Sequence, residues 1–159
     1  KNALTLVKAI KDIDTKLVLV GKKTTYTQQI RQYIKENRIE GKVIFLKGLS
    51  SEELAITYQL ATVFVYPSIF EGFGIPIIEA LFSKTPVITT NSGVFPEAGG
   101  PNSMYIDPMN EQEIKSKIEF LLQNEVVRND MAQKGLEYAA KFKDDVIAKQ
   151  IMDCYTSLI

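Results

Sequence analysis

The sequence predicts an α/β fold of the Rossmann-like type: a parallel sheet with helices on both faces and a helical C-terminal tail. Along the first two thirds of the chain, short apolar runs alternate with segments of helical period. The runs are continuously apolar rather than alternating with polar residues, which is typical of parallel strands buried on both faces. After Ile106 only helical periodicity is present.

Five runs have the length and the β-branched composition of strands, and the last of them is the weakest. They are Leu17–Val20, Val43–Leu46, Val63–Tyr66, Pro86–Thr90 and Met104–Ile106.

Helices are predicted before and between these strands. Ala3, Val7 and Ile10 recur at helical spacing, so the sequence opens in an amphipathic helix. Ser50 and Glu53 stand three residues apart, as in a capping box at the start of another helix. The intervening helical stripes are formed by Tyr26, Ile30, Tyr33 and Asn37, and by Leu54, Tyr58 and Ala61.

Three further helices are predicted near the C-terminus. Asn110 and Glu113 have the spacing of an N-terminal cap, and the next helix runs from about Glu125 to Ala140. The last helix has an apolar face on which we expect Cys154 to pack in the core; the face is formed by Ile147, Ile151, Cys154, Tyr155 and Leu158.

Length and composition restrict the possible functions. The 159 residues suffice for one domain, and the opening Lys1 suggests an excised piece of a longer protein. Nineteen basic residues balance nineteen acidic ones, so no global field favours nucleic acid. The single cysteine excludes an internal disulfide. The absence of histidine excludes Ser-His-Asp and Cys-His nucleophiles and argues against catalytic zinc.

The segment after the third predicted strand carries the candidate chemistry. Gly72 and Gly74 allow the backbone to approach a ligand closely, and Pro76 fits the first turn of a helix that begins near Gly74. A helix N-terminus behind two glycines suits a phosphate group. The same pattern also fits a tight turn whose glycines serve steric needs alone.

Two carboxylates flank this turn. Glu79 lies roughly 7 Å along the helix from Gly74, at 1.5 Å per residue. We therefore expect Glu71 and Glu79 to hold two ends of one ligand rather than to share a proton. Each could also be a solvated surface acid.

The segment from Pro67 to Ala80, Pro-Ser-x-x-Glu-Gly-Phe-Gly-x-Pro-x-x-Glu-Ala, resembles the Glu-x7-Glu signature of the glycosyltransferase group 1 superfamily. These are retaining family 4 enzymes of GT-B fold. The ordered series of neighbouring segments resembles the same family: Lys1-Asn2, Leu17–Gly21, Val43–Gly48, Ser51–Leu54, Thr85–Asn91 and Gly93–Glu97.

The resemblance implies that residues 1–159 are the C-terminal, donor-binding half of a two-domain enzyme. It assigns Glu79 to the ribose hydroxyls and Glu71 to the donor sugar, as the catalytic nucleophile or as an electrostatic stabiliser. Lys1 would neutralise the diphosphate.

The resemblance also assigns main-chain groups. Gly72 and the N–H groups of Phe73 and Gly74 would hold the sugar or the diphosphate, and main chain near Leu49 would face the base. Apart from the resemblance, Asn91, Ser92 and Gly93 follow a strand end and are further candidates for contact with the sugar.

The implied donor is a UDP-, GDP- or ADP-sugar, with mannose or glucose as the hexose and no metal or other cofactor. A glycan or lipid-linked acceptor would be held by an N-terminal domain absent from this sequence, so the fragment alone would be inactive. We expect a cytoplasmic protein, peripheral at the inner face of the membrane through that missing half. The alternatives are a non-catalytic nucleotide-sugar-binding or scaffold module and a nucleotide-sugar 2-epimerase.

Overall fold

Strands and helices alternate along the chain in the computed structural model, which describes residues 1–158. The strands are Leu17–Val20 (β1), Val43–Leu46 (β2), Phe64–Tyr66 (β3), Val87–Thr90 (β4) and Met104–Ile106 (β5). The helices are Ala3–Ala9 (α1), Thr25–Glu36 (α2), Ser51–Leu60 (α3), Ile75–Phe82 (α4), Phe95–Gly99 (α5), Glu111–Gln123 (α6), Glu125–Ala139 (α7) and Asp144–Ser157 (α8). The predicted α/β class is confirmed, and each predicted strand agrees with an observed strand to within one residue at each end.

All strand pairings of the described chain are parallel, and they fall into two groups. β1 pairs with β2, with Leu17 opposite Val43. The other three strands pair in the order β3-β4-β5. Because parallel strands end at the same edge of a sheet, the loops that follow β3, β4 and β5 lie together.

Helical cover differs between the two groups of strands. Every residue of β4 is buried, as the continuously apolar sequence predicts for a strand covered on both faces. In the first group one face is open, since Val18, Val20 and Ile44 are 40%, 46% and 45% exposed. The central strand β4 therefore provides the rigid support for the loops at its carboxyl end.

The core consists of two apolar clusters. The first joins α1 and α2 to α6 and contains Val7, Ile10, Ile30, Ile114 and Leu121. The second lies beneath α4 and α5 and contains Ile77, Leu81, Val87 and Phe95. The second cluster anchors the helix that carries Glu79.

The helix N-termini differ in how they are capped. The capping box predicted for α3 is confirmed, because Ser50 Oγ accepts from the Glu53 N–H at 3.2 Å and Glu53 Oε2 accepts from the Ser50 N–H at 2.7 Å. The predicted cap of α6 is also present, from Asn110 to the Glu113 N–H at 3.0 Å. In contrast, α4 begins after Gly74 without a side-chain cap.

The prediction that Cys154 packs in the core is wrong. Cys154 is exposed on α8, and so are Ile151, Tyr155 and Leu158 of the same apolar face, at 51%, 63% and 78%. The helix forms where its periodicity predicts it, but the described residues place no other element over this face. Within residues 1–158, no helix is long and apolar enough to cross a membrane.

Gly100→Ala is expected to destabilise the fold by about 2–4 kcal/mol. Gly100 has a φ of 68°, and an added Cβ would lie 2.5 Å from the Tyr138 ring, which is held by a hydrogen bond to the Glu97 carbonyl. Two effects contribute to the loss: the strain of an alanine in the left-handed backbone region and the overpacking of its Cβ against the ring. Urea denaturation measures the loss. The matched control is Gly41→Ala, where a Cβ meets nothing within 4 Å; equal losses in the two variants would contradict the prediction.

Candidate functional site

The loop between β3 and α4 is fixed to the neighbouring strand. Thr89 Oγ1 donates to the Tyr66 carbonyl at 3.0 Å, and Thr90 Oγ1 donates to the Ser68 carbonyl at 2.7 Å. Both threonines are buried in β4. The start of the loop is thus held at the carboxyl edge of the sheet, and Glu71 lies in the same loop.

The Glu71 carboxylate is bound by three side chains. Its Oε1 accepts from the Tyr66 hydroxyl at 2.7 Å, from Ser68 Oγ at 2.9 Å and from Lys1 Nζ at 2.5 Å. Lys1 Nζ also donates to the Tyr66 hydroxyl. Lys1 and Glu71, assigned to the diphosphate and to the sugar, are therefore brought together as one ion pair.

These contacts determine how Glu71 and Lys1 ionise. Partial burial by itself would raise the pKa of Glu71, but the hydrogen bonds from Lys1, Tyr66 and Ser68 outweigh burial and lower it. Partial burial would lower the pKa of Lys1, but the bonds to Glu71 and Tyr66 raise it. At neutral pH the site therefore contains a carboxylate and an ammonium group.

Glu79 has a separate partner. The Tyr58 hydroxyl donates to Glu79 Oε2 at 3.0 Å. Tyr58 is only 8% exposed, and burial together with the neighbouring Glu79 raises the pKa of its hydroxyl. The Tyr58 hydroxyl consequently stays protonated and acts as a fixed donor to Glu79. Thr85 Oγ1 donates to the Tyr58 carbonyl at 2.7 Å and so holds the main chain of the tyrosine in place.

A row of aromatic rings connects the two carboxylate sites. Tyr58 packs edge-on against Phe64 with ring centroids 5.1 Å apart, and Phe64 stacks on Tyr66 at 5.7 Å. Glu71 and Glu79 are thus held by hydroxyls at the two ends of this row. That the two glutamates hold two ends of one ligand stays a prediction.

The glycine-rich turn has the geometry that the sequence indicates. Gly74 has a φ of 94°, and an added Cβ would lie 3.2 Å from the Ala98 Cβ. The first backbone bond at the start of α4 runs from the Ile77 N–H to the Gly74 carbonyl at 2.9 Å, after Phe73 and Gly74 in the chain. A Cβ on Gly72 would meet nothing within 4 Å, so the space beside this residue is open. The turn combines an uncapped helix N-terminus with room for a ligand.

A polar cavity of about 430 Å³ lies at the carboxyl ends of β4 and β5. Asn91 and Ser92 line it, as does Pro108, whose carbonyl accepts from the Asn2 side chain at 2.5 Å. Neither Glu71 nor Glu79 lines this cavity. Leu49 lies half-buried between β2 and α3, and its assignment to the base stays a prediction.

Sequence reasoning missed three residues that build the site. Tyr58, Tyr66 and Ser68 each supply a hydroxyl to a candidate carboxylate, whereas the sequence pattern shows Tyr58 only in a helical stripe and Tyr66 only in an apolar run. Hydroxyls directly before Glu71, at the end of a strand, were the available signal for two of them. The side chain of Phe70, in the same loop, is 87% exposed. Within residues 1–158, no three histidine, cysteine, aspartate or glutamate side chains cluster as metal ligands.

The fold and the carboxyl edge of the sheet define the class of the protein. It is a parallel α/β domain with two carboxylates and an uncapped helix N-terminus in and after the loop that follows β3, and with a cation bound to that loop. The family described as glycosyl transferases group 1 matches residues 1–138. The chain belongs to this family.

Two kinds of relative agree with this assignment. The O-antigen chain mannosyltransferase RfbU of Salmonella typhimurium is 40% identical over 135 residues, which are 85% of this chain and 37% of that protein. The sucrose-phosphate synthase structure from Thermosynechococcus elongatus superposes with a TM-score of 0.90 at 28% identity, over 99% of this chain and 42% of that one. The C-terminal domain of the group 1 protein LpcC from Francisella tularensis has a TM-score of 0.80 at 26% identity, over 91% of this chain and 80% of that one. The chain therefore spans 37% of RfbU and most of one isolated C-terminal domain.

Replacing Glu71 by glutamine is expected to lower stability at neutral pH, but not in acid. The folded-state pKa of Glu71 is lowered, so its charge stabilises the fold above the unfolded value of about 4.3, and this contribution is lost as pH falls through the folded value. Because Lys1 is 61% exposed, the difference should be on the order of 1 kcal/mol. Urea denaturation from pH 7 to pH 3 measures it. Glu40→Gln, at an exposed position outside the site, controls for loss of a charge; a difference between wild type and Glu71→Gln that grows in acid would contradict the prediction.

Proposed function

We propose that this chain is the donor-binding domain of a retaining glycosyltransferase that transfers a hexose from a nucleotide-diphosphate sugar to a glycan or lipid-linked acceptor. The observation that carries the proposal is the Lys1–Glu71 ion pair beside the uncapped start of α4, with Glu79 one helix turn further on. The 40% identity to a protein named as a mannosyltransferase favours mannose as the hexose. The acceptor is assigned to the part of the relatives that this chain does not span.

The start of α4 is assigned to the donor diphosphate. Cleavage of a sugar–phosphate bond leaves negative charge on the diphosphate, which N–H groups at a helix N-terminus stabilise through their direction and through the helix dipole. The N–H groups of Phe73 and Gly74 supply the donors, and open space at Gly72 admits the ligand. Lys1 supplies the positive charge, so no metal is required in this proposal.

Glu71 is assigned to the sugar. A partly buried carboxylate with a lowered pKa is ionised at neutral pH, as stabilisation of a positive anomeric carbon, or attack on it, requires. Without a donor, Lys1 and Glu71 neutralise each other. A donor whose sugar–phosphate bond lies between them would engage the ammonium group with its diphosphate and the carboxylate with its sugar.

Glu79 is assigned to the ribose. Its Oε2 accepts from Tyr58, and the remaining lone pairs of the carboxylate are available to two ribose hydroxyls. Since the aromatic row separates Glu79 from Glu71, the nucleoside and the sugar lie at opposite ends of the donor in this assignment. Main chain near Leu49 is assigned to the base.

Alanine variants of the two glutamates should differ in a nucleotide titration. Glu79→Ala is expected to weaken nucleotide diphosphate by about 10- to 150-fold, the equivalent of charge-assisted bonds worth roughly 1.5–3 kcal/mol. Glu71→Ala should leave the nucleotide affinity nearly unchanged and should reduce sugar recognition. Isothermal calorimetry with nucleotide diphosphate and nucleotide-sugar reads both effects, with Glu40→Ala as the control. Equal losses from Glu71→Ala and Glu79→Ala would overturn the assignment of the two ends.

A thermal-shift panel of UDP-, GDP- and ADP-sugars tests the donor and the absence of a metal requirement together. A sugar nucleotide at 100 times its dissociation constant adds about 2.7 kcal/mol of stability. We expect one base to be selected, with the same shift in EDTA and in magnesium. A shift that EDTA abolishes and magnesium restores would contradict the assignment of Lys1 and α4 to the diphosphate. Transfer assays on the full-length enzyme separate a transferase from the scaffold and epimerase alternatives.

A further inference from the structure

The hydrogen bond between Tyr58 and Glu79 joins a buried side chain to a half-buried one. Tyr58 is 8% exposed and belongs to the second core cluster, whereas Glu79 is half-buried on α4. The Tyr58 hydroxyl donates to Glu79 Oε2 at 3.0 Å, and no other group of residues 1–158 donates to this carboxylate. Tyr58 therefore holds Glu79 from the core side and leaves Oε1 without a partner in the described chain.

The tyrosine itself is held firmly. Its carbonyl accepts from the buried Thr85 Oγ1 at 2.7 Å, and its ring packs edge-on against Phe64. The Thr85 N–H in turn donates to the Ala80 carbonyl at 2.9 Å, in the helix that carries Glu79. The Tyr58 hydroxyl and the Glu79 main chain thus have a fixed relative position.

The carboxylate has little preferred orientation of its own. The terminal torsion of a glutamate side chain is broad and roughly twofold, so a solvated Glu79 carboxylate would rotate readily. A hydrogen bond from a fixed donor to Oε2 restricts this rotation and sets the plane that contains the remaining lone pairs. A carboxylate held in this way is preorganised for a ligand with two adjacent hydroxyl groups.

We propose that Tyr58 is a positioning residue that orients Glu79 and thereby makes the site select ribose over 2′-deoxyribose in the nucleotide. The inference rests on the proposed assignment of Glu79 to the ribose. When both ribose hydroxyls are present, both donate to the oriented carboxylate. When the 2′-hydroxyl is missing, a charged acceptor is left without a partner, and this is how a site built for a hydroxyl rejects the analogue that lacks it. A carboxylate free to rotate avoids the penalty by turning toward water or toward the remaining hydroxyl.

A purely structural role of the hydroxyl has a different consequence. A buried tyrosine hydroxyl needs an acceptor, and Glu79 supplies one. If the bond served only this need, removal of the hydroxyl would lower stability and would weaken ribose and deoxyribose nucleotides by the same factor. The ratio of the two affinities therefore separates orientation of Glu79 from packing of Tyr58.

Calorimetric titration of the full-length protein measures this ratio with UDP, GDP and ADP, each compared with its 2′-deoxy form. We expect the wild type to bind its selected ribonucleotide about tenfold or more tightly than the deoxy form, as loss of one charge-assisted bond predicts. Tyr58→Phe keeps the ring that packs against Phe64 and should reduce the ratio to about threefold or less. The matched control is Tyr138→Phe, which removes a hydroxyl that donates to the Glu97 carbonyl at 2.7 Å and should keep the wild-type ratio.

A double variant tests whether Tyr58 acts through Glu79. Glu79→Ala alone should bring the ratio to about one, and Tyr58→Phe should then change it no further, because the two residues act as one interacting pair. A further change of the ratio in the double variant would overturn the positioning role, since Tyr58 would then act independently of Glu79.

The remaining outcomes distinguish a failure of this inference from a failure of the proposed function. An unchanged ratio in Tyr58→Phe, together with a reduced ratio in Glu79→Ala, would overturn the positioning role and leave the ribose assignment in place. Equal reductions in Tyr58→Phe and Tyr138→Phe would also overturn it. A wild-type ratio near one, or a Glu79→Ala variant that keeps the wild-type ratio, would overturn the ribose assignment and the inference together. Because the wild-type ratio requires no substitution, it tests the inference independently of how any variant folds.

Discussion

The hydrogen bonds that Tyr66 and Ser68 donate to Glu71 fix the loop between β3 and α4, and the rest of the candidate site depends on that loop. Ser68 is fully buried and its carbonyl is bound by Thr90, so the loop is held by β4 as well as by its own strand. Because the loop is fixed, Gly74 can start α4 at a set position, and the second core cluster then sets the direction of the helix. The site is therefore an extension of the buried strand pair β3–β4.

Much of the architecture was predictable because burial imposes a pattern on the sequence. Strands covered by helices on both faces are apolar along their whole length, so the apolar run at residues 86–90 predicted the buried strand β4. The box at Ser50 and the cap at Asn110 were predictable because a helix N-terminus needs an acceptor at a fixed spacing. The division of the strands into two groups was not predictable, since hydropathy reports burial and does not say which edges pair.

The errors and omissions at the site have a related cause. Tyrosine has an apolar ring and a polar hydroxyl, so Tyr58 and Tyr66 fit the apolar pattern of the core while their hydroxyls hold the carboxylates. The apolar period of α8 identified a helix with one apolar face, but a period does not specify what covers that face, and Cys154 is exposed. Glu71 and Glu79 were found because their spacing belongs to a known signature, whereas their partners are distant in sequence or lie in the core.

The rings of Tyr58, Phe64 and Tyr66 pack in one continuous row, edge-on at Tyr58 and stacked at Tyr66, and this row fixes the spacing of the site. The carboxylates lie on a loop and on a helix, elements whose lengths vary easily, yet each hydroxyl that holds one is attached to a ring packed against Phe64. The packing of apolar rings thereby sets the distance between the two hydroxyls that bind Glu71 and Glu79. A change of ring size at position 64, where the side chain has no polar atom, would therefore change the position of both hydroxyls at once.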